Sequence, residues 1–151
     1  MWKIYKKGTQ KRNFPVICQH GVVDSSFTFT VNTPSQGLAF LLANLGFDVW
    51  LTNVRGNTFS KGHKRLDPSK DKEYWDFTYD EHSLYDLPAV TEYVKEKSSA
   101  SKVFYVGHSQ GTLQMFVKIS DDVSFQNNFK AFFGLAPVLF MKHVNPLFSS
   151  C

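Results

Sequence analysis

The chain has 151 residues, a net charge of +4 and a pI of about 9.0. With 42% apolar and 20% charged residues, it is excluded from the disordered class and is long enough for one domain around one core. No apolar run approaches the ~18 residues of a membrane span, and two cysteines without a CxxC spacing make neither a disulfide framework nor a zinc site.

The basic excess gathers in "WKIYKKGTQKR" and in "KGHKR" around Lys61, Lys64 and Arg65. Neither run forms a helix face with interleaved aromatics, so both are expected to be solvated surface and no nucleic-acid partner is expected. "MWKIYKKGTQ" has no apolar centre, so no secretory leader is expected in this chain.

In chain order, "WKIY" predicts a short strand and "PVICQ" a second, with Cys18 inside it as a small buried hydrophobe. Leu38, Leu41, Leu42 and Leu45 recur at helical spacing, and Gly46 stops that helix. "FDVWLTNV" predicts a strand, followed by a long charged loop from Arg55. His63 and His82 are expected at the surface of that loop. A helix over "YDLPAVTEYVKEK" takes Asp86 as its N-cap, with Pro88 in the first turn. The strand "KVFYV", the helix "GTLQMFVKIS" and the strand "KAFFGLAPVLF" complete the chain.

Strands alternating with helices predict an α/β fold with a mostly parallel sheet and helices on both faces. The unbroken apolar runs "VFYV" and "AFFGLA" predict strands buried on both faces.

"YVGHSQGT" places Ser109 in a G-x-S-x-G pattern between a strand and a helix. Such a turn is tight enough to require Gly107 and Gly111 where the strand and helix backbones close on each other. It lifts the Ser109 hydroxyl above the sheet, over a helix N-terminus that favours negative charge. Ser109 is therefore the candidate catalytic nucleophile. Its oxyanion hole would draw one N–H from Gln110 and a second from Val22, in the loop after "VICQ" that Gly21 lets turn inward. His20 is expected to brace that loop, and the His108 side chain to point away from the Ser109 hydroxyl.

Five blocks in order, "QHGVVDSS", "LANLGFDVWLTNVRGNTFSKGHK", "YWDFTYDEHSLYDLPA", "YVGHSQGT" and "LAPV", resemble the acid lipase family of gastric and lysosomal lipases. The likeness covers roughly residues 1 to 140. It implies an α/β-hydrolase fold and hydrolysis of neutral lipid esters, triacylglycerols or sterol esters, through an acyl-serine, at a lipid–water interface. It also implies a secreted or lysosomal compartment. That chemistry needs no metal or organic cofactor. Asn53, Arg55 and Asn57 fall in a loop that the resemblance assigns to shaping the core.

In such enzymes an acid and a base follow the nucleophile, in the order Asp then His. After Ser109 come only Asp121, Asp122 and His143. The two aspartates lie at the far end of the helix, and His143 falls where the resembled family begins its cap. The chain is thus expected to hold a partial hydrolase core over 1–140 and the start of a cap over 141–151. The last strands, with Asp and His, would lie beyond it, and the family's opening strand and leader upstream of Met1. The alternative is a lipid-binding or regulatory remnant that keeps the fold without catalysis.

Overall fold

A computed structural model describes residues 1–10, 12 and 14–141. The expected cap segment from 142 onward, with His143, lies outside the described residues. The strands are β1 (Trp2–Ile4), β2 (Val16–Gln19), β3 (Val49–Leu51), β4 (Val103–His108) and β5 (Phe129–Leu135). They form one sheet in the order β1-β3-β2-β4-β5. The pairs β3–β2, β2–β4 and β4–β5 are parallel, and only β1 runs antiparallel, at one edge.

The helices are α1 (Leu38–Asn44), α2 (Tyr79–Glu81), α3 (Leu87–Ser98) and α4 (Gln110–Asp121). Strand alternation divides the core in two. Val16, Cys18, Val49, Leu51 and Val106 meet α1 through Ala39 and Ala43 on one face. Ile17, Trp50, Val103 and Tyr105 meet α3 and α4 through Leu87, Val94 and Met115 on the other. Helices therefore cover both faces, as the alternating pattern required. Burial pushes the Cys18 thiol up to about 12, so it is an inert core group.

Four expectations need correction. The buried stripe of α1 is Ala39 and Ala43, while Leu41 and Leu45 are exposed. An i, i+4 pair of small side chains lets the short helix lie close to the sheet, which turns part of the leucine row outward. Strand β5 is not buried on both faces. Among the described residues it is the outermost strand on its side of the sheet, and Phe133 and Leu135 stay exposed. Apolar composition alone does not tell a covered strand from an uncovered one.

Asp86 is not a helix cap. Its backbone is already helical, and its carboxylate is engaged by Arg55. The helix starts earlier, at Thr78. There a capping box pairs the Thr78 side chain with the Asp80 N–H, and the Glu81 carboxylate with the Thr78 N–H. A π turn over His82–Asp86 joins α2 to α3. That turn draws His82 inward, so His82 is buried rather than exposed.

Candidate active site

Strand β4 ends at His108 and α4 begins at Gln110, so Ser109 is the whole connection. Its backbone sits at φ 51°, ψ −114°, in a region that non-glycine residues rarely occupy. It occupies the N-cap position of α4, yet its side chain makes no capping hydrogen bond. The conformation is held from three sides. The Ser109 N–H donates to the Leu135 carbonyl at 2.9 Å. Its own carbonyl accepts from the Thr112 hydroxyl at 2.6 Å. The fully buried Tyr105 hydroxyl donates to the Gly111 carbonyl at 2.8 Å.

Both flanking glycines are required by contact. A Cβ on Gly107 would lie 2.8 Å from the Gly111 main chain, and a Cβ on Gly111 2.6 Å from the Gln19 carbonyl oxygen. Strand, helix and neighbouring strand meet there without room for a side chain.

The loop after β2 closes over this turn. A Cβ on Gly21 would stand 3.0 Å from the Ser109 Cβ and 3.2 Å from His108 Nδ1, so the Gly21–Val22 backbone lies against the serine. No described residue accepts a hydrogen bond from the N–H of Val22 or of Gln110. The latter is the first N–H of α4, which has no acceptor inside its own helix. The fold thus brings Ser109, Val22, Gln110, Gly107 and Gly111 together. Val23 (φ 49°), Ser109 (φ 51°) and Ala136 (φ 48°) place strained backbone just past the ends of β2, β4 and β5. That clustering at one end of the sheet is invisible in sequence.

A second feature escaped the sequence reading in detail. The segment 53–57 is a strut that ties down the Val22 loop. The Asn53 carboxamide accepts from the Ser26 N–H at 3.0 Å and donates to the Ser26 hydroxyl at 3.0 Å. The Asn57 amide donates to the Asp24 carbonyl at 2.6 Å. His20 Nδ1 donates to the Gly21 carbonyl at 2.7 Å, and its Nε2 accepts from the Val54 N–H at 3.4 Å. His20 is therefore a neutral brace, as expected. Arg55 binds Asp86 through Nε at 2.9 Å and a terminal nitrogen at 2.7 Å, while the Arg55 N–H donates to the other Asp86 oxygen at 3.0 Å. This fork fastens the strut to the π turn.

Two imidazoles lie inside this network. Burial depresses the His20 pKa, opposed by its bond to Gly21 and by the Asp24 charge. Burial depresses the His82 pKa too, with the Arg55 cation adding to the effect and Asp86 opposing it. Neither ring nitrogen of His82 has a hydrogen-bond partner among the described residues. The sign is fixed: below the ordinary value of about 6.5, the unfolded chain binds protons that the folded chain refuses. Stability is full above that pH and falls as pH drops toward the folded values. Thermal melts should therefore shift down between about pH 7.5 and about pH 5, and His82→Phe, which keeps a ring against Phe77, should flatten the slope. A pH-independent melt would contradict this account.

The description "alpha/beta hydrolase fold" matches residues 15–149. The chain belongs to the α/β-hydrolase family. Among the curated relatives, lipase lipl-1 of Caenorhabditis elegans is 48% identical over 130 residues, covering 85% of this chain and 32% of the relative. Lipase member K of Mus musculus is 45% identical over 140 residues, covering 91% and 35%. A tear acid lipase-like protein of Mesocricetus auratus is 42% identical over 134 residues, covering 89% and 33%. The chain thus spans about a third of the length of these relatives.

Among solved structures, epoxide hydrolase A of Mycobacterium thermoresistibile superposes with a TM-score of 0.56 at 16% identity, over 87% of this chain and 33% of that one. A structure from Sulfolobus solfataricus superposes at 0.61 and 15% identity, over 88% and 43%. These likenesses concern the fold. Within the α/β-hydrolase frame, the Ser109 turn and the Val22 loop occupy the ends of parallel strands, where open α/β sheets bind ligands. Among the described residues no helix is long and apolar enough to cross a membrane.

Proposed function

We propose that this chain carries the nucleophile and oxyanion hole of a carboxylic-ester hydrolase for neutral lipid esters, triacylglycerols or sterol esters. One observation carries the reading. Ser109 is held at φ 51° with a hydroxyl that does not cap its helix, beside two main-chain N–H groups without acceptors. The identity to curated lipases supports the lipid class of substrate.

In the proposed reaction the Ser109 Oγ attacks the ester carbonyl carbon and gives up its proton to a base. The carbonyl oxygen takes the negative charge and sits against the N–H groups of Val22 and Gln110. Each such donor is typically worth about 10²–10³ in rate. Collapse of the tetrahedral species breaks the ester C–O bond, and the alcohol leaves with the proton. Water then cleaves the acyl-serine by the same route in reverse order.

Two of the described histidines are engaged elsewhere. His20 uses both ring nitrogens, and His63 Nδ1 accepts the N–H groups of Arg65 and Leu66 in the surface loop. Asp86 is held by Arg55, and Asp122 caps the turn after α4 through Ser124. The base and its orienting acid are proposed to belong to sequence beyond residue 151, and a secreted or lysosomal compartment to the whole protein.

Fluorophosphonate capture of the native protein from its source tests the assignment. Mass spectrometry should recover the peptide around Ser109 with its hydroxyl phosphonylated. Recovery of that peptide unmodified, beside labelled serine hydrolases in the same extract, would sink the enzymatic reading and favour a non-catalytic lipid-binding remnant.

A further inference from the structure

Thr112 is fully buried, and its hydroxyl is used twice. It donates to the Ser109 carbonyl at 2.6 Å and accepts from the Val138 N–H at 2.8 Å. The first bond is local, since threonine hydroxyls commonly return to a carbonyl one turn back. The second is not. Val138 lies 26 residues further on, past the end of β5 and beyond the left-handed Ala136 at φ 48°. The Thr112 methyl faces the sheet at Gly134, where an added Cβ would meet it at 3.6 Å. With methyl and hydroxyl both in contact, the branched side chain is confined to one rotamer.

The Ser109 carbonyl and the Gln110 N–H are the two ends of one peptide plane. Whatever fixes the carbonyl therefore fixes the direction of that N–H, which has no acceptor among the described residues. We propose that Thr112 is a positioning residue of the oxyanion hole, whose hydroxyl aims the Gln110 N–H and makes it a stronger donor. The proposal rests on the reading of Ser109 as the nucleophile of an ester hydrolase, and it adds a residue that the reading does not use.

Two features of the geometry carry this. First, the Ser109 carbonyl already accepts the Thr112 N–H at 2.9 Å, the bond that opens α4. The hydroxyl bond is a second and shorter constraint on the same oxygen, so the plane is held at its carbonyl end while its N–H end stays open to a ligand. Second, the donors run in one direction. The Val138 N–H donates to the Thr112 oxygen, the Thr112 O–H donates to the Ser109 carbonyl, and the Gln110 N–H at the far end of that amide faces the ester oxygen. Hydrogen bonds in series polarise one another. Negative charge arriving on the ester oxygen is thus met by a dipole chain already aligned, which is the condition for electrostatic stabilisation without reorganisation. No proton changes place along the chain. Thr112 acts only through the Ser109–Gln110 amide and does not touch the substrate.

The test uses the complete protein that carries the proposed base, with a soluble p-nitrophenyl ester and an alkyl boronic acid. The boronic acid forms a tetrahedral adduct on the Ser109 hydroxyl, with one oxygen in the same hole. Thr112→Val keeps the shape of the side chain and removes the hydroxyl. It should lower kcat and kcat/KM together by about tenfold with KM unchanged, short of the ~10²–10³ that deleting a whole donor costs. Affinity for the boronic acid should fall by a similar factor. Thr112→Ser, which restores the hydroxyl, should return both to within about threefold of wild type. A purely structural role would shrink the active fraction, and so lower kcat, while leaving boronic acid affinity intact. That result would overturn the proposal, as would full activity in Thr112→Val or a Thr112→Ser variant equally impaired. Circular dichroism and thermal melts check each fold, and Thr112→Ala is the hydroxyl-free variant should Thr112→Val not fold. A wild-type protein without hydrolysis, or hydrolysis that survives Ser109→Ala, would remove the Ser109 reading and this proposal with it.

Discussion

Gly111→Val is expected to unfold the protein or lower its melting temperature by at least about 10 °C. The first atom added would stand 2.6 Å from the Gln19 carbonyl oxygen and 3.0 Å from that of His20. Both belong to the backbone at the end of β2, which is paired on both sides inside the sheet. No side chain can swing aside to relieve the clash. Overfilling a packed site typically costs about 1–3 kcal/mol, and a clash with the backbone of a central strand belongs at or above the top of that range. Against a total stability of about 5–15 kcal/mol, that is a large share. Gly134→Ala is the matched control. Its added carbon would meet only ordinary contacts at 3.6 Å, so its melt should stay within a few degrees of wild type. Should Gly111→Val melt like the parent, the tight-turn account of the Ser109 site is wrong.

The isolated 151-residue chain is expected to hydrolyse p-nitrophenyl esters at a rate on the order of 10⁶ below that of a complete serine hydrolase. Losing the base of a triad costs about that much in a well-studied case, leaving only oxyanion and binding effects. Two titratable groups near the site are committed elsewhere: His20 braces its loop, and Asp86 is held by Arg55. The measurement is burst and steady-state release of p-nitrophenol, compared with Ser109→Ala. Turnover at the level of a full lipase, abolished in Ser109→Ala, would show that this chain contains a base after all.

Much of this was legible from local pattern. The G-x-S-x-G turn was readable because its constraint is local: two glycines and one serine within five residues, between a β-rich run and an amphipathic one. The parallel sheet followed from alternation of strands and helices. The roles of Asn53, Arg55 and Asn57 were visible only as a likeness to a known family. Their partners Ser26, Asp24 and Asp86 lie 27, 33 and 31 residues away, and no local rule pairs them. His82 was misplaced for a related reason. Its neighbours are polar and charged, which reads as surface, but the π turn rotates it into the interior. The capping box at Thr78 and Glu81 could have been found by its S/T-x-x-E spacing, and would have moved the helix start eight residues earlier than Asp86.

What the amino-acid sequence determined by itself was the short-range part. That comprises the order of strands and helices, the elbow at Ser109, the stop at Gly46, where φ is +92°, and the excess of positive charge. Those follow from backbone sterics and side-chain periodicity within a few residues. Only the tertiary structure decided that Phe133 and Leu135 on β5 stay exposed, that Ala39 and Ala43 rather than the outer leucines face the sheet, that the Val22 loop is pinned through residues 53–57, and that Trp2, Phe27 and Phe59 share one surface. Each of these depends on which distant segments come into contact, and burial is a property of those contacts rather than of the residues that make them.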